Sequence, residues 1–515
     1  MKKLVKFRRN RGITLIALVI TIVILIILST ITINFAFGEN GLVSITEDAR
    51  DITTEATEKE GIEMAVADSK IKDITTPDRE KENLEESLRS QFGNNANFTV
   101  TENGDGSFLI NMNDSQRSYY VESTGEILAQ SEMIEIGTAE ELKAFRDEVN
   151  SGNTFEGKYI RLTNNITLDI NEEWEPIGKL MDNSSKPYDD LNMRFSGIFN
   201  GNGYEINGIL INTSDKVQGL FGLVDSGKII NLCIGENNNI TGGAATSALV
   251  GYLYNESIVS NCSNKSNIIG VYSGGIVGCA YSNSKILDSY NTGIIEGDRT
   301  SGGIAGTITT DSVISGCYNT GNITVKSEYA GGIVGENIYN TIVEKCYNCG
   351  IISGESFIGG IAGHNAYNSI IRLSYNTNII KGSTSNIGGI VGKNYLDSEL
   401  YDSYNAGTIN GNGERIGGVI GYNQDSKVSN CYNIGKITTS DANSVGGVIG
   451  AIQGNSTEEN NYFLENMVNN GNGIVLNGVE SKKETEMKSL APILGSAFTE
   501  DIEGINQGYP ILSWQ

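Results

Sequence analysis

One five-residue phrase, Gly-Gly-Ile/Val-Val/Ala/Ile-Gly, returns at a nearly fixed interval between residues 218 and 450. It begins at Gly274, Gly302, Gly331, Gly359, Gly388, Gly417 and Gly446, so the interval is always 28 or 29. Looser copies precede it at Gly219 and Ala248. A period of this length identifies a solenoid in which each repeat is one coil. Collagen is excluded, because it needs glycine at every third position and abundant proline, and this chain has 5 prolines beside 63 glycines.

A second landmark fixes the interior of each coil: Ser289-Tyr290-Asn291, Cys317-Tyr318-Asn319, Cys346-Tyr347-Asn348, Ser374-Tyr375-Asn376, Ser403-Tyr404-Asn405 and Cys431-Tyr432-Asn433. A glycine usually follows two residues later, and then an apolar pair such as Ile294-Ile295. Each coil therefore offers three short Ile/Val-rich strands separated by Gly or Asn corners, as a parallel sheet buried on one side requires. Residues repeated coil over coil predict asparagine ladders and tyrosine stacks. Leucine-rich repeats reach the same period, but Leu is rare at the repeat positions and no coil holds a helix-period segment. The fold expected is mostly β, a right-handed parallel β-helix, the handedness following from the general preference of parallel crossovers. Nine or so coils are expected.

Cys233, Cys262, Cys317, Cys346 and Cys431 are read at one repeat position, where other copies carry Ser289, Ser374 and Ser403. Exchange of Cys with Ser marks a small buried stacked residue, not a disulfide framework. Cys346 and Cys349 form a C-x-x-C, but with no second pair and no nearby His it makes no metal site. The formal charge of -25 excludes nucleic acid as a partner of the folded part.

Residues 1–12 carry six Lys/Arg and no acid, and residues 13–33 run without a charge. That run is long enough to span a bilayer once as a helix, with the basic flank inside and everything after residue 40 outside. The stretch Arg11-Gly12-Ile13-Thr14-Leu15-Ile16 resembles the prepilin-type leader of type IV pilins and type II secretion pseudopilins. The resemblance implies cleavage by a prepilin peptidase between Gly12 and Ile13 and methylation of Ile13. Ala17 departs from the family, which has a glutamate there that pairs with a neighbouring subunit's N-terminus in the fibre. A minor pilin, or a membrane-anchored protein using the leader, fits this better than a major subunit.

Residues 40–71 continue as a helix on a 3.6-residue apolar period, ended near Pro77. A second helix is expected over 78–92, then strands over 98–101, 107–112 and 118–122, the first two joined at Asn103-Gly104-Asp105-Gly106. Helix followed by a small antiparallel sheet is also the layout of pilin-like head domains. Thr138-Ala139-Glu140-Glu141 is a capping box opening a short helix with Leu142, Phe145 and Val149 on one face. The chain thus divides into a leader (1–12), a transmembrane helix (13–35), a small α+β domain (36–130), an N-terminal cap with irregular coils (131–217), the regular coils (218–455) and a C-terminal cap (456–515). A short helix is expected over 481–490, and the closing aromatics are expected to seal the bottom of the stack.

The regular coils also resemble the GLUG repeats of bacterial surface proteins, named for a phrase like Gly331-Gly332-Ile333-Val334-Gly335, over about residues 219 to 450. Some proteins with these repeats are IgA-cleaving metallopeptidases. That chemistry does not carry over, because an H-E-x-x-H zinc helix needs two histidines and the chain has one, His364.

A glycosidase pair would need two acids aligned on neighbouring coils. Asp288 and Asp402 share a repeat position four coils apart, and Asp311 and Asp397 share another three coils apart. At about 4.8 Å per coil both lie beyond the ~10 Å that such a pair allows. His364 reads as a lone surface histidine. Tyr339, Tyr367 and Tyr395 recur at an even interval, 28 and then 28, in the variable segment and form the ligand-stacking candidates, with mutual packing as the plainer reading. The function expected is a non-enzymatic bacterial cell-surface protein, without cofactor or metal, displaying an adhesive or spacer β-helix on a single membrane span. Host or cell-wall glycans or proteins are the expected partners. The alternatives are a minor pilin or pseudopilin and a polysaccharide-active β-helix enzyme.

Overall fold

A computed structural model describes residues 42–73, 80–103, 106–122, 125, 127–129, 133–179, 193–215, 217–439, 445–468 and 476–515. The basic leader, the apolar run, Gly12 and Ile13 lie outside the described residues. No helix among the described residues is long and apolar enough to cross a membrane.

The chain forms two compact units. In the first, helix α1 (Leu42–Asp73) and helix α2 (Glu80–Phe92) accompany a sheet of strands β1 (Phe98–Glu102), β2 (Phe108–Met112), β3 (Arg117–Val121) and β4 (Ile127–Ala129) in the order β1-β2-β3-β4. Strands β2, β3 and β4 pair antiparallel. Ile62 and Val66 of α1 and Leu84 and Leu88 of α2 share one core with Ile110, Tyr119 and Val121. The sequence reading placed both helices and three of the strands; β4 is added by the structure.

The second unit is a parallel β-solenoid. Each coil carries four strand positions, not three. One coil illustrates them: Ile323–Val325 with Tyr329–Gly331 in sheet one, Val334–Ile338 in sheet two, Ile342–Glu344 in sheet three and Tyr347–Asn348 in sheet four. The fourth position is the Tyr-Asn landmark. In sequence it reads as a corner because it is short and half polar, yet Tyr318, Tyr347 and Tyr375 pair in register as a ladder. Sheets three and four each contain twelve strands. They extend past the nine coils expected because residues of the entry segment already stack in them, Met133–Ile136 and Tyr159–Leu162 in sheet three and Ile166–Thr167 in sheet four. At about 4.8 Å per step the twelve strands span roughly 50 Å.

The glycine phrase marks the inner corner between sheets one and two. A Cβ on Gly331 would lie 1.9 Å from the Val334 carbonyl oxygen, and one on Gly332 would lie 2.0 Å from that of Gly360 and 2.5 Å from Asn348 Cγ. The chain turns so tightly here that only hydrogen fits. Behind it runs the asparagine ladder. Asn264, Asn291, Asn319, Asn348, Asn376 and Asn405 each donate Nδ2–H to the next coil's asparagine Oδ1 at 2.8 Å, the last to Asn433. The same nitrogens also reach a carbonyl two residues on, as Asn348 does with Gly350 at 2.8 Å. Every ladder member is fully buried, so these bonds are what make its burial tolerable. Phe463 pairs opposite Asn433 and ends the ladder.

The Cys/Ser column is a set of small buried side chains pointing at the same acceptor. The Cys317, Cys346 and Cys431 thiols approach the carbonyl two residues back at 3.4, 3.1 and 3.1 Å, where the Ser289, Ser374 and Ser403 hydroxyls do the same at 2.7, 2.8 and 3.0 Å. All seven cysteines are free. Cys233 is a correction. It pairs with Ser263, so it stands one residue beyond the column and contacts Glu205 instead. The step between those coils, seen in Ile230↔Ser260, is longer than the 28 or 29 residues between glycine phrases from Gly274 on, and a one-residue shift moves a side chain to the other face.

The entry helix (Ala139–Asn150) has the expected capping box, Thr138 with Glu141, and buries Leu142, Phe145 and Val149. Phe145 meets Phe155 edge-on at 4.9 Å and Phe195 at 5.7 Å, filling the open end of the stack. At the other end the expected single helix is two, Glu484–Lys488 and Ala491–Leu494. The closing aromatics do not seal the bottom; they lie along the side. Trp514 Nε1–H donates to the Leu373 carbonyl at 3.0 Å, with its ring 5.9 Å from Tyr375. The Tyr404 hydroxyl donates to Gln515 at 3.1 Å, and that of Tyr432 to the Pro510 carbonyl. The cause is the tyrosine stack of sheet four, whose ring edges leave an apolar strip down one side that the chain end covers.

Candidate functional site

The variable segment after each glycine phrase builds sheet two and then a sharp corner into sheet three. The corner is made by two consecutive residues with positive φ: Asn255-Glu256, Ser282-Asn283, Thr310-Asp311, Tyr339-Asn340, Tyr367-Asn368 and Leu396-Asp397. Asn and Asp accept this left-handed backbone best; bulky residues there are rare. A buried Ser or Thr follows each pair. Its hydroxyl donates back across the turn in several coils, as Ser312 does to the Thr309 carbonyl at 2.8 Å and Ser398 to that of Tyr395 at 2.8 Å.

Tyr339 and Tyr367 are in register at this corner and stack face to face, with centroids 4.6 Å apart and planes 8° from parallel. Tyr395 is not in their column. It pairs with Ala366, one position earlier, and Leu396 stands where the third ring was expected. The coil there is one residue longer than the tyrosine spacing, so Tyr395 falls on the last residue of the strand. It meets Tyr367 edge-on, at 78° and 5.8 Å. Three aligned rings are therefore two, and the facing sides of those two are consumed by each other. Tyr339 follows Thr310 in register along this corner and is 48% exposed, the most open tyrosine among the described residues.

His364 is not a surface histidine. It is buried between the Tyr329 ring (5.1 Å, 10°) and the Tyr395 ring (6.2 Å, 27°). In sheet two it stands in one outward column with Glu336 before it and Lys393 and Tyr422 after it. Its Nδ1 is 3.6 Å from Glu336 Oε1, beyond a normal hydrogen bond, and neither ring nitrogen has a hydrogen-bond partner among the described residues. Lys393 Nζ sits 3.9 Å from the centroid of Tyr395, and Arg415 Cζ lies 4.4 Å from that of Tyr422. Burial pushes the Tyr329 hydroxyl up to about 12, with the Glu336 carboxylate adding to it, while burial and then the Arg415 charge hold Lys393 below its ordinary value. The column is a brace of ring and cation contacts across four coils. Sequence reasoning missed it by treating His364 alone; the signal was the position five residues after each glycine phrase begins, which reads Glu336, His364, Lys393, Tyr422.

The aligned aspartates are corner formers. Asp311 and Asp397 occupy the left-handed corner just described, and Asp288 and Asp402, also at positive φ, occupy the corner between sheets three and four. Burial raises both Asp288 and Asp402. No group of three or more metal-ligating side chains occurs among the described residues. No curated protein matches the chain. Residues 412–438, which make one circuit from the approach to Gly417 through Tyr432-Asn433 to the next sheet-one strand, match the family model of the GLUG motif, so that coil of the solenoid is similar to the GLUG motif.

Proposed function

We propose that this chain is a non-enzymatic bacterial cell-surface protein that displays its solenoid, wound right-handed, as an adhesive rod on a prepilin-type membrane anchor. The observation that carries the reading is the stack itself. Four parallel ladders run in register for many coils, with interior polar positions satisfied by asparagine and Ser/Cys columns, while one corner turns exposed, varied side chains outward. Such a stack holds a binding surface rigidly and at a distance from its anchor. The basic leader followed by residues 13–33 supports the anchor, and the resemblance at Arg11-Gly12-Ile13 supports its processing. Host or cell-wall glycans or proteins are the partners this surface suits. A second reading, a minor pilin or pseudopilin, is favoured by the small unit, in which two helices accompany an antiparallel sheet. Mass spectrometry of the mature N-terminus tests the processing. We expect a chain beginning at methylated Ile13; an intact Met1 would contradict it.

A further inference from the structure

We infer that the corner between sheets two and three binds an uncharged linear oligosaccharide, along a run that starts in a groove at Asn255 and reaches the exposed ring of Tyr339. This deepens the adhesive reading by naming the ligand class, and rests on it. Ser226, Asn255, Glu256, Ser282 and Asn283 line a groove of about 410 Å³ on consecutive coils. Further along the same corner come Thr310-Asp311 and then Tyr339-Asn340. From Asn255 to Tyr339 is three coil steps, roughly 14 Å, a length suited to a short saccharide.

The backbone of this groove is locked. Glu256 N–H donates to the Ser282 carbonyl at 2.9 Å, Asn283 N–H to that of Thr310 at 3.0 Å, and Asp311 N–H to that of Tyr339 at 3.1 Å. Side chains therefore leave the corner at coil spacing. Those of Glu256, Asn283, Asp311 and Asn340 make no hydrogen bond to other described residues, and all are exposed. They offer carboxylate acceptors and amide donors at the spacing where a sugar chain presents hydroxyls. Tyr339 supplies the remaining element. Its ring stands at the corner at φ 64° and is more exposed than that of any other tyrosine among the described residues. A pyranose has an apolar face that stacks on such a ring and a polar rim that meets the groove. Glu256 and Asp311 disfavour an anionic polymer.

The test uses the full chain in detergent micelles, titrated calorimetrically with cellohexaose, chitohexaose, mannohexaose and, as the anionic probe, hexagalacturonate. At least one neutral hexaose is expected to bind. Tyr339→Asn, which removes the ring and suits the left-handed backbone, is expected to weaken that binding by about tenfold, and Tyr339→Phe to retain it. Tyr290→Ala, in sheet four, is expected to leave it unchanged. No binding of any neutral hexaose, equal binding by Tyr339→Asn, or tightest binding of hexagalacturonate overturns the inference. The measurement is made on purified protein, so failure of surface display would leave its result intact.

Discussion

Asn348 sits in the middle of the sheet-four ladder with each polar atom engaged. Its Oδ1 accepts from Asn319 and from the Gly350 N–H, and its Nδ2–H groups reach Asn376 and the Gly350 carbonyl. An alanine here would leave the Asn319 amide and the Asn376 carbonyl oxygen facing a dry gap. Each buried orphan costs about 1–3 kcal/mol, so Asn348→Ala is expected to destabilise the stack by roughly 2–4 kcal/mol. Hydrogen exchange resolved by peptide checks this, since loss should centre on the coils flanking residue 348. Uniform, wild-type protection would show that the ladder contributes little. The Cys column predicts no such sensitivity, because Ser already occupies the same geometry at 289, 374 and 403.

Among the elements, the strands were the most legible part of the sequence and their number per coil the least. Apolar pairs and glycine phrases gave the period because stacking forces each coil to repeat the same corner, visible at Gly331 and Gly332. The Tyr-Asn strand escaped notice because its inward residue is polar and its outward residue aromatic, the reverse of a usual sheet pattern. Tyr395 and Cys233 were misplaced for one reason: spacing was counted in residues, while the coils differ slightly in length. His364 was misread because its partners, Tyr329 and Tyr395, are distant in the chain and meet only through register. The C-terminal segment could not be placed from its composition, since aromatics cover a side as readily as an end. Its turn is held by Asp501. Burial alone would raise this carboxyl, but N–H donors from Gly508, Asn506 and Ile505 outweigh that and hold it below its ordinary value. The folded carboxyl binds its proton less tightly than the unfolded one. Its contribution is therefore complete above the unfolded value of 3.8 and is lost as pH falls through the lower folded value. Exchange protection over residues 501–515 is expected to drop in that acid window before the central coils lose theirs, and Asp501→Asn should show reduced protection already at neutral pH. Simultaneous loss everywhere would contradict this.

For the molecule as a whole, the fold and the functional account rest on different parts of the chain. The solenoid follows from its own register, whereas the proposed display rests on residues 1–33 alone. Lys326 and Lys381 are exposed on the stack, while Lys2, Lys3 and Lys6 lie in the leader. Labelling intact cells that produce the full chain with a membrane-impermeant amine reagent, followed by peptide mapping, is the most direct test of surface display. The account predicts that Lys326 and Lys381 are modified in intact cells as fully as after lysis, and that no peptide carrying Lys2, Lys3 or Lys6 belongs to the mature chain. Modification of Lys326 and Lys381 only after lysis would contradict it.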